Sequence, residues 1–318
     1  MTEFSPLNIA VLAGGISHER DVSLRSGRRV ADALTAVGHE VTLHDPDAAL
    51  LTTLAAHRPD VVFPVLHGAS GEDGSLLGLL EALGIPTVGS LAAAARLAWS
   101  KPVASRVASS AGLSVPKSVV LSHTAFRELG AASVLTVVRD ALAGAVVVKP
   151  ASGGSAHGVT TVREADQLPR AMVEAFVYAD VAVIEQHIAG TELAVTVIDD
   201  GSGARALPAV EIAPTDGLYD FEARYNAGET TFYTPSRLAP EVVAAAEAAA
   251  LTAHRALGLD DLSRIDFIVD ASGTPWFLEA NVLPGLTETS LAPLAIEASG
   301  ASVGEVYSAL AAAAARRG

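Results

Sequence analysis

Between Arg264 and Asn281 the chain reads Arg-Ile-Asp-Phe-Ile-Val-Asp-Ala-Ser-Gly-Thr-Pro-Trp-Phe-Leu-Glu-Ala-Asn. Two β-rich runs flank Ser272-Gly273, which predicts a hairpin with a two-residue turn. Counting back from that turn sets Ile265 opposite Ala280, Phe267 opposite Leu278 and Val269 opposite Trp276. That face is apolar. On the other face Arg264 lies opposite Asn281 and Asp266 opposite Glu279, because strand side chains alternate with a period of two. In this register the polar pairs are the non-hydrogen-bonded pairs, with Cα atoms roughly 4.5 Å apart. Pro275 falls at such a position too, where its missing N–H costs nothing. Two like charges directly opposed are destabilising unless something neutralises them. Two readings stand: a solvated face with an incidental charge pair, or a cation site. Oxygen donors of this kind suit Mg²⁺, which takes one or two carboxylates together with substrate phosphates.

The rest of the composition bears on what could meet such a site. The chain has 318 residues, enough for two or three domains, and 50% are hydrophobic. No apolar run reaches the length of a membrane span. The start, Met1-Thr2-Glu3-Phe4-Ser5-Pro6, lacks a basic region and is not expected to be a signal peptide. There is no cysteine, so disulfides, thiolate zinc sites and thiol nucleophiles are excluded. A net charge of −15 argues against general nucleic-acid binding and requires locally placed cations for any anionic substrate. Only three lysines are present, Lys101, Lys117 and Lys149. Lys149 ends the apolar run Ala145–Val148, where an ammonium either meets an anion or snorkels to the surface.

The first hundred residues alternate strand and helix. Strands are predicted at Asn8–Ala13, Glu40–His44 and Asp60–Leu66, with a helix from about Val22 to Val37 that stops at Gly38. Gly68–Gly74 opens a further helix ending at Gly84. This βαβ order implies a parallel sheet with helices on its faces. Ligands gather at the carboxyl ends of such strands, where Gly14-Gly15, Glu19, His67 and Gly68 sit. Glu19 can equally be a carboxylate favoured by a helix N-terminus, and His67 a structural histidine. Gly14-Gly15-Ile16-Ser17-His18-Glu19 lacks the spacing of a dinucleotide motif.

From a boundary near Trp99–Pro102 to about Glu185 the pattern is α+β: strands at Lys117–Leu121, Ala145–Lys149, Gly158–Val162 and Val181–Glu185, with helices between. The loop Ala151–Gly158 joins two strands, so it is not a P-loop. It is either an ordinary hairpin loop or a flap whose N–H groups cover phosphates. The last third starts with strands Glu192–Ile198 and Arg205–Ile212. Ala213–Ser236 reads as a long irregular segment, a lid or a core-covering loop, with Tyr219, Phe221, Tyr225, Phe232 and Tyr233 to pack it. An Ala-rich helix runs from Pro240 to Gly258. The hairpin, Leu283-Pro284-Gly285-Leu286-Thr287 and two short helices follow. Two lysines, a Gly/Ser loop and the acidic hairpin face together suggest a nucleoside triphosphate with Mg²⁺ between the central and final domains. Arg264 would suit a carboxylate or a tetrahedral oxyanion.

With these residues in view, the chain resembles the D-alanine–D-alanine ligases, of the ATP-grasp fold, over essentially its whole length. The resemblance rests on Gly14–Ser23, Leu66-His67-Gly68 with Gly71-Glu72-Asp73-Gly74, Val148-Lys149-Pro150, Tyr219–Tyr225, Arg264-Ile265-Asp266, and Leu278–Asn281 with Pro284–Thr287. It implies an α/β and α+β protein: an N-terminal parallel-sheet domain (1–100), a small central α+β domain (101–186) and a C-terminal mixed domain (187–318) carrying the lid loop 213–236 and the metal hairpin 264–281. It also implies a cytoplasmic enzyme that joins two D-alanine molecules through an acyl phosphate for peptidoglycan precursor synthesis, spending ATP. The expected associations are D-alanine, ATP and a second copy of the chain in a homodimer, with no nucleic acid and no membrane.

The same resemblance assigns roles. Glu19 would hold the first ammonium, linked to Ser155 and Tyr225, with His67 near the first substrate. Arg264 and the Gly285 backbone would form the oxyanion site. Ser290 would hold the second carboxylate, with Leu291 lining its pocket. Lys101, Lys149 and Arg224 would contact phosphates, and Glu185, Ile188 and Glu192 the adenine and ribose. Asp266, Glu279 and Asn281 would bind two Mg²⁺ or Mn²⁺ ions. The chain departs from the family pattern at Ala156 and His157, where a second serine and a small apolar residue are usual. It departs again at Gln186 and Arg224, where lysines are frequent. A ligase of the same fold using D-serine, D-lactate or another amino acid is the nearest alternative, and a non-catalytic nucleotide-binding regulator the more distant one.

Overall fold

The structure is a computed structural model and describes residues 5–142, 144–214 and 230–317. Three strands open it: β1 (Asn8–Leu12), then after α1 (Arg20–Ala36) β2 (Glu40–His44), and after α2 (Leu50–Ala56) β3 (Val61–Pro64). They pair in the parallel order β2-β1-β3, with Ile9 between Val41 and Val61. β1 is apolar and buried from Ile9 to Leu12, as a strand covered on both faces must be. Gly38, at φ 99°, turns the chain out of α1. The predicted helix after Gly68 is two pieces, α3 (Ala69–Glu72) and α4 (Ser75–Ala82), with Gly74 at φ 78° between them.

Two helices not foreseen from the sequence follow, α5 (Ala92–Trp99) and α6 (Lys101–Ser110). Pro102 stands in the first turn of α6, where its missing N–H is harmless. The central sheet is antiparallel, in the order β4-β7-β5-β6, from β4 (Ser118–Ser122), β5 (Val146–Pro150), β6 (Thr160–Val162) and β7 (Val181–Gln186). Helices α7 (His123–Leu129), α8 (Ala131–Leu142) and α9 (Leu168–Tyr178) pack on it, joining Phe126, Val138 and Met172 to Val148 and Ile184. Lys149 and Glu185 are the next residues in their strands, so they point from the opposite face.

The largest sheet runs β11-β10-β8-β12-β13. Its strands are β8 (Gly190–Ile198), β9 (Arg205–Ala206, also paired to β8), β10 (Val210–Pro214), β11 (Thr230–Tyr233), β12 (Leu262–Asp270) and β13 (Pro275–Asn281). Helix α10 (Pro240–Ala256) packs Ala246, Ala250 and Ala253 on one face, against Val195, Phe267 and Phe277, and Ala104 and Ala108 of α6 join that core. The other face meets α11 (Leu291–Ala298) and α12 (Val303–Ala315) in a core shared with Ile9, Val30 and Phe63 of the N-terminal sheet. The carboxylate of Asp261, 1% exposed, joins the same units through Gly89 N (2.7 Å) and Arg317 (2.5 and 2.6 Å). Among the described residues no helix is long and apolar enough to cross a membrane.

Three expectations need correction. The predicted strand Arg205–Ile212 is two strands on one partner: Ala206 lies opposite Val197 but Val210 opposite Ala194. The register slips by one around Pro208, which has no N–H to give the ladder. The segment Ala213–Ser236 is not wholly irregular, since β10 reaches Pro214 and Thr230–Tyr233 pairs with it. The hairpin register holds for Arg264/Asn281, Ile265/Ala280 and Asp266/Glu279. Beyond Asp266 a bulge sets Phe267 opposite Phe277, Ile268 opposite Trp276 and Val269 opposite Pro275. Phe277, not Leu278, therefore enters the core. The turn holds three residues, closed by Gly273 N to Asp270 O (2.9 Å) and Asp270 N to Thr274 O (3.1 Å), with Gly273 at φ 82°.

Candidate functional site

The acidic face of the hairpin is built as counted, and each acid has a cation. Arg264 and Asp266 are buried and form a two-pronged bond, Nε to Oδ1 and Nη2 to Oδ2, both 2.7 Å. Asn281 Nδ2 donates to Asp266 Oδ2 at 3.1 Å. Glu279 accepts from Lys101 Nζ, so α6 brings its first residue across to β13. The two opposed carboxylates are thus neutralised by the protein's own cations, which removes the repulsion that their register would otherwise impose.

The second lysine is equally committed. Lys149 on β5 faces Val183 of β7, and Glu185 is two residues further along the same face. Its ammonium meets Glu185 Oε1 at 2.6 Å, with each side chain 9% exposed. This is a buried ion pair, not a lysine snorkelling outward. Glu185 leads into the connection that carries buried Ile188 and joins the central sheet to Glu192 on β8, opposite Ile268 and Ile212. The three residues expected at a nucleoside thus lie along the junction of two sheets.

A third cluster forms at the carboxyl end of the N-terminal sheet. Glu19 precedes α1 but its side chain makes no capping bond; it accepts instead from Ser155 Oγ, on the loop between β5 and β6. Gly68, at φ 68°, stands against it: a Cβ there would lie 3.2 Å from Glu19 Oε2. His67 is 5% exposed. Its Nδ1 lies 3.8 Å from Glu72 Oε1, and its Nε2 is buried without a hydrogen-bond partner. Glu72, which the sequence reading did not single out, also accepts from Gly68 N at 3.3 Å. Burial pushes its carboxyl up, while His67 pulls it down and Glu19 adds to the rise. The signal available in the sequence was an acid inside a glycine-rich loop that the fold must bury.

A cleft lined by Glu72, Trp99, Lys101, Gly153, Glu279 and Asn281 joins the hairpin face to the third cluster. In the loop after β13, Ser290 Oγ accepts from Thr287 N at 3.0 Å and pairs with Thr287 Oγ1 at 2.8 Å. A Cβ on Gly285 would lie 2.8 Å from that oxygen, and Leu291 is buried behind it. Tyr225 and Arg224, like Tyr219 and Phe221, lie outside the described residues. Chemically the arrangement offers three cations, each held by a carboxylate, one half-buried acid–hydroxyl pair and an oxygen-rich face. Among the described residues no three His, Asp or Glu side chains converge on a metal-sized point. Two carboxylates and an amide oxygen do suit Mg²⁺ if phosphates supply the remaining positions.

A family model described as D-ala D-ala ligase C-terminus matches residues 107–311, and one described as D-ala D-ala ligase N-terminus matches residues 48–90. The D-alanine–D-alanine ligase of Anaeromyxobacter sp. strain Fw109-5 is 45% identical over 298 residues, covering 92% of each chain. That of Gloeobacter violaceus is 43% identical, covering 92% of this chain and 95% of its own. Among solved structures, a D-Ala:D-Ser ligase from Enterococcus faecalis superposes with a TM-score of 0.83 at 28% identity, over 98% of this chain and all of the other. A D-alanine–D-alanine ligase from Bacillus anthracis complexed with ATP gives 0.79 at 26% identity, over 98% of each. Matched over most of its length in sequence and nearly all of it in structure, the chain belongs to the D-alanine–D-alanine ligase family.

Proposed function

We propose that this protein joins two D-alanine molecules into D-alanyl-D-alanine, splitting ATP to ADP and phosphate, in the cytoplasmic synthesis of peptidoglycan precursors. The carboxylate oxygen of the first D-alanine attacks the γ-phosphorus, the bond to the β-phosphate oxygen breaks, and ADP leaves with that electron pair. The amine of the second D-alanine then attacks the acyl phosphate carbon. An amide bond forms, phosphate departs, and the amine's proton is released. Reaction within one water-excluded cleft would keep the acyl phosphate from hydrolysis.

The residues divide the work by charge. Glu19, with Ser155 donating to it, holds the first ammonium, and His67 faces that substrate with its open Nε2. Tyr225 completes this group. Lys101, Lys149 and Arg224 meet phosphate oxygens, and Glu185, Ile188 and Glu192 take the nucleoside. Asp266, Glu279 and Asn281 hold two Mg²⁺ or Mn²⁺ ions, which supply charge neutralisation at the phosphates when bound. Arg264 and the Gly285 N–H face the oxyanion, and Ser290 with Leu291 receives the second amino acid. The units are residues 1–100, 101–186 and 187–318, and two copies form a homodimer.

The observation that carries this reading is the position of Lys101. Its backbone N–H binds Ala151 O, at the start of the β5–β6 loop, at 2.8 Å while its ammonium reaches Glu279 on the hairpin. It thereby links the phosphate-covering loop to the metal face. The test is product formation from ATP with D-alanine, D-serine and D-lactate as second substrates across pH. D-alanyl-D-alanine should dominate at neutral pH. A D-serine product or a hydroxy-acid ester dominating there would replace it, and phosphate release indifferent to D-alanine would favour a regulator.

A further inference from the structure

We propose that His157 is a positioning residue whose ring clips the β5–β6 loop in place and so holds Ser155 on Glu19; this rests on Glu19 being the first amino-acid site. The loop needs such a clip. Ser155 and Ala156 both take left-handed backbone conformations, with φ 51° and 57°. Non-glycine residues keep such angles only where their surroundings enforce them. Two weak turns close the loop from within, His157 N to Gly154 O at 3.3 Å and Val159 N to Ala156 O at 3.2 Å. Neither reaches another element.

His157 does. Its ring stacks on Tyr178 at the end of α9, with centroids 5.4 Å apart and planes 22° from parallel. On its other side it meets His18, at 5.9 Å and 56°. His18 is the chain neighbour of Glu19. One ring therefore bridges the helix behind the loop to the N-terminal segment in front of it, alongside the Ser155–Glu19 bond. The next residue makes this stack possible: a Cβ on Gly158 would lie 2.7 Å from Tyr178 Cδ2. Burial holds the His157 imidazole below its ordinary range; Glu19 pulls the other way and His18 adds to the burial. That shift favours the neutral ring, the form that stacks on Tyr178 with no charge to desolvate. An aliphatic side chain of one or two carbons could not touch both rings.

The test uses His157→Ala and His157→Phe in the full-length protein. Amide exchange at His157 and Val159 reads the loop without reference to activity. Steady-state kinetics with ATP and D-alanine read its consequence. The alanine variant should exchange faster at both amides and raise the KM for the first D-alanine about tenfold, with kcat and the KM for ATP changed by less than about twofold, the pattern of lost substrate positioning. Phenylalanine keeps a flat ring and should restore both readouts. Unchanged exchange and KM in the alanine variant would overturn the proposal, as would a phenylalanine variant as impaired as alanine. If the wild-type protein showed no D-alanine dependence, the functional reading would fail while the exchange data still judged the clip.

Discussion

Replacing Lys149 with methionine separates the structural and the binding duties of the central sheet. The substitution keeps side-chain length but removes the ammonium that lies 2.6 Å from Glu185 Oε1, where each side chain is 9% exposed. Glu185 then becomes a buried carboxylate stripped of its cation. Breaking a buried pair from one side costs about 3–5 kcal/mol, whereas removing both charges together is often near neutral. Lys149→Met should therefore lose about 3–5 kcal/mol in urea unfolding, and Lys149→Met with Glu185→Gln should recover all but about 1 kcal/mol of it. Nucleotide affinity should behave differently. Calorimetry with ATP should show weak binding in both variants, because the double variant mends the fold without restoring a cation for phosphate. A loss of stability below about 1 kcal/mol in the single variant would refute the burial argument. Full ATP affinity in the double variant would refute the phosphate role.

Two other outcomes follow from the same geometry. Glu279→Gln keeps the shape of β13 but removes one of the two opposed charges and the acid that pairs with Lys101, so turnover should fall by about 100-fold or more with a stability loss of only about 1 kcal/mol for this less buried pair; retained activity would show that the metal face is misassigned. His254 is 3% exposed, with Nδ1 2.8 Å from Ser263 Oγ, and burial lowers its pKa from 6.5 to about 4. The unfolded chain therefore binds the proton first as pH falls. Stability should be intact above about pH 6.5 and decline by about 3 kcal/mol towards pH 4. His254→Gln should flatten that slope in thermal melts recorded across this range, and an unchanged slope would assign it to another group.

Particular residues show what the sequence could and could not reveal. The alternation Arg264, Asp266, Glu279, Asn281 placed four polar groups on one face correctly, because the period of a strand is fixed by its backbone. The count failed past Asp266 because a turn type is decided by side chains that a tally of runs ignores. The Asp270 carboxylate accepts from Ser272 N at 2.9 Å, Thr274 N at 3.1 Å and Trp276 Nε1 at 2.8 Å. These bonds select the wider three-residue turn, and the bulge follows. The Lys149 strand was legible from its valines, but its partner was not, since Glu185 lies 36 positions away and only the β5–β7 register brings it near. Helices α5 and α6 escaped notice because their buried faces are alanine, too weakly apolar to set a period, yet they pack in the core beneath β13. The motifs carried the family; the arrangement of cations against acids came only from the fold.

Where divalent metal sits is the decisive point. Crystals grown with ATP and Mn²⁺, with anomalous scattering collected at the manganese edge, test this directly. Manganese should lie between the phosphates and the Asp266, Glu279 and Asn281 side chains, with Lys101 moved from Glu279 to phosphate. Manganese bound elsewhere, with Arg264 and Lys101 still closing off both carboxylates, would contradict it.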